Sequence, residues 1–169
     1  MAEFFFKYVD DETWCLTGYK GSDAHVTLPD LHGGRPVTVV NDDIFKGHAE
    51  LESVVLPAHL RTLGGFVFDG CGQLKTVALP ESLTEIWQYA FVRSGITEIE
   101  IPGSLKHIIP FVFKDCTRLT HVSIKPGVRK IFGRAFDGCI ALKEVRLPAD
   151  TEVSPEAFTG CGEVRIIRY

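Results

Sequence analysis

The sequence predicts a β-rich solenoid, because one phenylalanine-centred unit recurs through its 169 residues at a nearly constant interval. The recurring phenylalanines are separated by 23, 23, 22, 23 and 22 residues. A period this regular is typical of stacked coils, in which each repeat contacts only its neighbours. A cysteine follows most of these phenylalanines by three positions, and equivalent positions of stacked coils form ladders. We therefore expect an internal structural ladder of Phe45, Phe68, Phe91, Phe113, Phe136, Phe158, Cys71, Cys116, Cys139 and Cys161.

A short segment of alternating apolar and variable residues opens each coil, which indicates a strand with one buried and one exposed face. Proline directly follows five of these seven segments. Because proline lacks the N–H that would continue a ladder, the strands should all end at the same level. The expected architecture is a right-handed coil with a parallel concave sheet, whose strands lie at 25–28, 51–56, 74–79, 96–101, 119–124, 142–147 and 164–169.

An aromatic-rich segment precedes the first coil. Residues 3–8 and 14–19 flank a polar turn, a pattern typical of a β-hairpin. Since the apolar end of a solenoid must be covered, we assign residues 1–23 to an N-terminal capping hairpin and residues 24–169 to about six coils, together forming a single domain. An insertion of about five residues around Gly33 is expected to bulge from the first coil.

The repeat combines Leu-x-x-Val-x-Leu-Pro, then Leu-x-x-Ile, then Ala-Phe-x-x-Cys. This pattern resembles the BspA-type leucine-rich repeat family, and residues 16–21 with 34–37 look like the leader of such arrays. The resemblance implies a leucine-rich-repeat solenoid and a role in protein binding or adhesion, often on bacterial surfaces, with no shared catalytic residues. The chain has a single asparagine, Asn41, so the phenylalanine and cysteine ladders must replace the stacked asparagines of common leucine-rich repeats.

Composition narrows the classes of partner. The net charge of −4 and the scattered lysines and arginines argue against nucleic acid, and no apolar run approaches the length needed for membrane insertion. The N-terminus lacks the features of a signal peptide, which predicts a cytoplasmic protein; a piece of a longer chain would instead be secreted or lie at the cell surface. Five cysteines without paired spacing predict neither disulfides nor zinc, and no cofactor is expected.

The cysteine column permits two interpretations. A thiol nucleophile could use His48, one coil away from Cys71, as its base. A row of small buried side chains packed beside the phenylalanines would be inert. We favour the inert row, because a catalytic cysteine needs exposure and a lowered pKa rather than several near-copies.

The exposed face of the predicted sheet carries two columns of side chains. We expect the columns to continue to Ile166 and Arg168 in the last strand. Carboxylates flank an imidazole in consecutive coils, which could bind a divalent metal, perform acid–base chemistry, or serve as a polar recognition patch. We favour recognition, because an open sheet offers no pocket that excludes water. The candidate concave binding face consists of Glu98, Glu100, His121, Ser123, Glu144 and Arg146.

The opposite surface is predicted to carry an apolar and aromatic cluster on its central coils. Such a cluster, framed by polar residues, is typical of binding surfaces. Alternatively, some of the rings lie flat against the solenoid without a partner. The candidate convex aromatic patch consists of Phe66, Trp87, Tyr89, Ile109, Phe111 and Phe132.

These observations predict a non-catalytic protein–protein interaction module whose protein ligand the sequence does not identify. One alternative is a self-associating structural unit, such as a homodimer joined through the C-terminal edge strand at 164–169. Another alternative is an enzyme or metal site at Glu98, His121 and Glu144.

Overall fold

The computed structural model describes residues 2–169, and within that range the chain forms strands and turns but no helix. Six coils follow an N-terminal hairpin, at 24–50, 51–73, 74–95, 96–118, 119–141 and 142–163. The strands are β1 (Glu3–Tyr8), β2 (Trp14–Lys20), β3 (His25–Thr27), β4 (Leu31–His32), β5 (Arg35–Val40), β6 (Ser53–Val55), β7 (Thr62–Leu63), β8 (Glu85–Ile86), β9 (Glu98–Ile101), β10 (His107–Ile108), β11 (His121–Ile124), β12 (Lys130–Ile131), β13 (Glu144–Leu147), β14 (Glu152–Val153) and β15 (Arg165–Arg168).

The predicted sheet is present, and we call it the first sheet. It is parallel throughout, but it forms in two parts: β3 pairs with β6, and β9, β11, β13 and β15 pair in chain order. The strand predicted at 74–79 is wrong, because that segment keeps only an isolated bridge between Thr76 and Ser53. The prediction that Ile166 continues the exposed column of Glu144 in the last strand is also wrong by one residue. Arg165 pairs with Glu144 instead.

A second sheet of mostly two-residue strands runs along the other side of the coils. In its N-terminal part β5, β7 and β8 pair in parallel, and in its C-terminal part β10, β12 and β14 do the same. Strands β8 and β10 do not pair. Both sheets are therefore interrupted between the third and the fourth coil, at 74–95 and 96–118.

The N-terminal hairpin covers the first coil by joining the second sheet. Strand β1 is antiparallel to β2, and β2 pairs in parallel with β5. The insertion in the first coil forms a small hairpin of β4 and β5, and its turn at Gly33 is exposed, as expected. The neighbouring His32 ring stacks on Phe6 at a centroid distance of 4.0 Å, so the insertion also packs against the cap.

The phenylalanine ladder forms the core. Consecutive ring centroids lie 5.0–5.8 Å apart from Phe45 to Phe158. All but the last of these rings are buried. Offset stacking at this spacing is favourable beyond the burial of area alone. Because one ring comes from each coil, the ladder ties every coil to its neighbours.

The cysteines extend this ladder with hydrogen bonds. Each of four thiols donates to the carbonyl of the ladder phenylalanine in the preceding coil: Cys71 to Phe45 at 3.1 Å, Cys116 to Phe91 at 3.0 Å, Cys139 to Phe113 at 3.0 Å and Cys161 to Phe136 at 3.2 Å. Each of these carbonyls also accepts the backbone N–H three residues later in its own coil, as that of Phe113 does from Cys116 at 3.3 Å. The thiols therefore add a second hydrogen bond to each carbonyl, and each of these bonds joins two neighbouring coils.

Two turn positions in each of the first five coils adopt the left-handed backbone region, and the sixth coil keeps one of them, at Gly160. The residue two places after the ladder phenylalanine is often glycine, but Arg93 and Asp115 hold the same conformation with φ of 55° and 54°. The residue two places before it is never glycine, and three of these residues are aromatic. This conformation costs a bulky residue about 1–3 kcal/mol, so the surrounding structure must hold it in place. Hydrogen bonds between coils do so: the N–H of Tyr89 donates to the carbonyl of Phe111 at 3.2 Å.

Replacing a central ladder residue should weaken the whole fold. We expect Phe113→Ala to lower the free energy of unfolding by about 3–5 kcal/mol, because a large cavity opens where each coil has few other contacts. Urea unfolding followed by circular dichroism measures this change. Phe5→Ala is the matched control, since the Phe5 side chain is 50% exposed on the hairpin. An unchanged unfolding midpoint for Phe113→Ala would contradict the role of the ladder.

Candidate functional site: two interaction surfaces

The first-sheet face brings the six predicted polar residues together in two rows. Strand register places His121 between Glu98 and Glu144. The second row, on the same strands, contains Ser123 between Glu100 and Arg146. A shallow hollow of about 330 Å³ lies over both rows and also reaches Val77, beside the interrupted part of the sheet.

Charges on the first-sheet face are partly neutralised by their own neighbours. Lys125 Nζ lies 2.5 Å from Glu81 Oε1 and 3.0 Å from Glu100 Oε1. Hydrogen bonding to Glu81, and then to Glu100, raises the pKa of the exposed Lys125 ammonium. His121 Nδ1 lies 2.9 Å from the hydroxyl of its neighbour Thr120. Across residues 2–169, no group of three or more His, Cys, Asp or Glu side chains is placed to hold a metal ion.

The aromatic face, which we define by Phe66, Trp87, Tyr89, Ile109, Phe111 and Phe132, contains a second ring ladder. Phe66 and Tyr89 stack at 4.9 Å and 14°, and Tyr89 and Phe111 stack at 5.3 Å and 3°. Lys46 Nζ lies 4.9 Å from the Phe66 ring centroid, and Lys114 Nζ lies 6.0 Å from that of Phe111. The faces of these half-buried rings are therefore covered by neighbouring rings or lysines, and mainly the ring edges are accessible to solvent.

Trp87 stands apart from this stack. Its side chain is 56% exposed and pairs with no other aromatic ring in the described chain. The equivalent position in the preceding coil is Gly64, where a Cβ atom would lie 2.6 Å from the backbone carbon of Asn41. Because Gly64 has no side chain, the indole has nothing to stack on in that coil. A hollow of about 300 Å³ fills the space on that side, and one of about 240 Å³ extends from Trp87 to Ile109.

The remaining two residues of the aromatic face have other neighbours. Ile109 is partly buried and packs against the core. The Phe132 ring contacts the His107 ring edge-on at 5.8 Å and lies under Lys130 Nζ at 5.1 Å. The sequence pattern predicted neither the lysines over the ladder nor the role of Gly64. The repeat offered a signal for Gly64, because it is the only glycine in the column that contains Trp87.

The cysteine column has the properties of a structural row. Burial raises the pKa of the Cys71 thiol to about 12. Contact with the thiol of Cys116, followed by Cys161 and by burial, raises the pKa of Cys139 far above its ordinary value. His48 Nε2 lies 3.1 Å from the carbonyl oxygen of Asp23. A thiol held in its neutral form is a poor nucleophile, and all five cysteines are free.

Comparisons with known proteins agree with this geometry, which defines a leucine-rich-repeat solenoid. The family described as "BspA type Leucine rich repeat region" matches residues 38–165 in six copies. The chain therefore belongs to the BspA-type leucine-rich repeat family. No curated protein matches it. In the described range, no helix of the length and apolarity required to cross a bilayer occurs.

Solved structures with similar folds are leucine-rich repeat proteins. One from T. pallidum is 29% identical, with a TM-score of 0.80 over 98% of this chain and 83% of that protein. One from Bacteroides ovatus is 21% identical, with a TM-score of 0.65 over 99% of this chain and 52% of that protein. A third, from Eubacterium ventriosum, is 18% identical, with a TM-score of 0.65 over 85% of this chain and 44% of that protein. The latter two show the fold alone.

Thiol reactivity distinguishes a structural row from a reactive one. We expect iodoacetamide at neutral pH to leave Cys71 and Cys139 unmodified in the folded protein, because a buried thiol with a raised pKa supplies almost no thiolate. Mass spectrometry of tryptic peptides measures the modification, and protein alkylated in denaturant provides the reference in which all five react. Labelling of native Cys71 at the denatured rate would contradict the structural role.

Proposed function

We propose that the chain is a non-catalytic protein-binding scaffold that contacts its partner through the aromatic face. The observation that carries this proposal is the 56% exposed Trp87, which stands between two hollows beside the stacked rings of Tyr89 and its neighbours. Tryptophan and tyrosine dominate the energetics of protein interfaces, especially where they lie near the centre of a contact. A cluster of half-buried rings around one exposed tryptophan on a folded surface indicates an interaction site.

The first-sheet face fits a supporting role in the same scaffold. Its side chains are polar or charged, and Lys125 already pairs with Glu100. Exposed charges of this type contribute more to orientation and association rate than to affinity. The hollow over Glu98 and His121 is shallow, so water is not excluded there and acid–base chemistry gains little.

The family and the free thiols support different cellular locations for the protein. Adhesion to a host or neighbouring cell is one use of such a scaffold, and in that case the protein would lie at a bacterial cell surface. Free cysteines are instead typical of a reducing compartment, and they support our proposal that the protein is cytoplasmic. Fractionation of the cells that encode it tests this placement, and labelling of the intact chain by a surface-restricted biotin reagent would contradict it.

Partner capture tests the proposed function. Immobilised parent protein and the variant Trp87→Ala/Phe111→Ala are incubated with extract of the organism that encodes the chain, and retained proteins are compared by mass spectrometry. We expect the variant to lose at least about tenfold of a partner that the parent retains, because truncation of two central aromatic side chains removes more than 1.4 kcal/mol of binding free energy.

The matched control is Glu98→Ala/Glu144→Ala on the first-sheet face. It should retain the partner to within about threefold, since exposed charges contribute little to affinity. Equal thermal midpoints of all three proteins establish that the variants are folded. Loss of the partner in the control but not in Trp87→Ala/Phe111→Ala would move the site to the first sheet, and a parent protein that retains nothing would overturn the proposal.

Self-association is a second candidate function, and it rests on strand β15. Among the described strands β15 pairs only with β13, so within residues 2–169 its other edge has no partner strand. Ile166 and Tyr169, both exposed, lie on or beside this strand. Unpaired edges favour strand pairing with another chain. Sedimentation across a wide concentration range should then show a dimer, and a monomer at every concentration would exclude this candidate.

A further inference from the structure

The junction between the coils at 74–95 and 96–118, which we call the seam, lacks backbone hydrogen bonds of the second sheet that join the other coils, although other hydrogen bonds cross it. In the second sheet, the N–H of Trp87 donates to the carbonyl of Leu63 at 2.9 Å, and that of Phe132 donates to Ile108 at 2.9 Å. The equivalent donor at the seam, the N–H of Ile109, has no carbonyl partner within residues 2–169.

A second bond is missing beside the first. The N–H of Lys130 donates to the carbonyl of Lys106 at 3.3 Å, whereas the equivalent N–H of His107 has no partner carbonyl in the described chain. The matching acceptors at the seam are the carbonyls of Thr84 and Ile86, and neither accepts a backbone N–H there. The N–H groups of His107 and Ile109 and the carbonyls of Thr84 and Ile86 therefore have no backbone hydrogen bond across the seam.

A shortened turn distinguishes this junction in the sequence. Six positions separate Phe68 from Leu74, but only five separate Phe91 from Ile96. The turn contains Gly95, where a Cβ atom would lie 2.1 Å from the carbonyl oxygen of Gly72. The turn therefore packs closely against the backbone of the preceding coil, at 51–73, on the side away from the seam. The core ladder nevertheless continues across the seam, since the Phe91 and Phe113 rings remain 5.2 Å apart.

The hollow of about 240 Å³ beside Trp87 lies at this seam. Its lining includes the residues whose ladder bonds are missing, together with the otherwise buried apolar side chains of Ile86 and Leu105. Small-molecule pockets usually measure about 300–1,000 Å³, so this hollow is too small for most such ligands. A single apolar side chain is smaller than such a ligand and can be accommodated in this volume.

We propose that the seam is a docking site for an extended peptide segment of a partner protein, which inserts one large apolar side chain beside Trp87 and hydrogen-bonds its backbone to the unpaired groups of Ile109 and its neighbours. A peptide backbone supplies both the acceptor that Ile109 N–H lacks and the donor that the Ile86 carbonyl lacks. The Trp87 ring and the Leu105 floor supply the apolar contact. This inference rests on the proposed protein-binding function and names the anchor of that contact.

Nuclear magnetic resonance with short blocked peptides tests the site directly, because it detects weak binding residue by residue. The probes are acetylated and amidated pentapeptides Gly-Thr-X-Thr-Gly with X as Leu, Phe or Asp. We expect the Leu and Phe peptides to shift the amide signals of His107 and Ile109 and the indole signal of Trp87. The amides of Lys130 and Phe132, at the same positions of an intact junction, should not move.

Matched probes and variants separate the two parts of the interaction. Methylation of the backbone nitrogen after X, and the substitution Trp87→Ala, should each weaken binding by at least about tenfold. Glu98→Ala/Glu144→Ala should bind the Leu peptide like the parent. Binding that is independent of X, equal binding of the methylated peptide, or shifts confined to the first-sheet face would each overturn the proposal.

Failure of this inference can be told apart from failure of the proposed function. If the peptides produce no shift at the seam while Trp87→Ala/Phe111→Ala still loses a partner that the parent captures, the aromatic face binds proteins but the seam does not anchor them. If the peptides bind at the seam and the parent captures no partner, the peptide site stands and the wider scaffold role on the aromatic face is lost.

Discussion

The contact on which this structure depends is the repeated unit of one stacked phenylalanine ring and one thiol that donates to the preceding phenylalanine carbonyl. The ring supplies apolar burial, and the thiol adds a hydrogen bond between coils to a carbonyl that already accepts a backbone N–H within its own coil. Each coil is too small to bury its own apolar face, so these contacts between coils supply the core. A regular spacing of coils follows, and it places equivalent side chains of successive coils side by side.

That regularity makes the exceptions informative. Tyr89 and Phe111 continue a column as a ring stack. Trp87 instead has Gly64 at the equivalent position of the preceding coil and the partly buried Ile109 at that of the following coil, and so remains exposed. The shortened turn before Ile96 coincides with a change in the backbone rather than in one side chain. Both sheets are interrupted there, while the phenylalanine ladder continues. Functional surface arises in this chain where one coil differs from the next.

Much of the fold could be predicted from the sequence, because period, alternation and proline position are local signals. The phenylalanine and cysteine ladders, the N-terminal hairpin and five of the seven predicted first-sheet strands have direct counterparts in the structure; β15 is a sixth, shifted by one residue at its pairing with Glu144. The missing strand at 74–79 could not be predicted, since its own sequence is regular and the irregularity lies in the next turn, at Gly95. The candidate surfaces were identified as sets of residues, but the division of the aromatic face into a capped stack and an isolated Trp87 depends on side-chain packing between coils.

The central claim is that the ladder holds neighbouring coils together even where both sheets part. Hydrogen–deuterium exchange of the free protein measures this most directly, because exchange reports the local opening of each amide. The amides of Phe91 and Phe113, which donate across coils at 3.0 Å, should be strongly protected. The amides of His107 and Ile109 should exchange on the order of 100-fold faster than those of Lys130 and Phe132, their counterparts one coil later. Equal protection at these two pairs of positions would contradict the account.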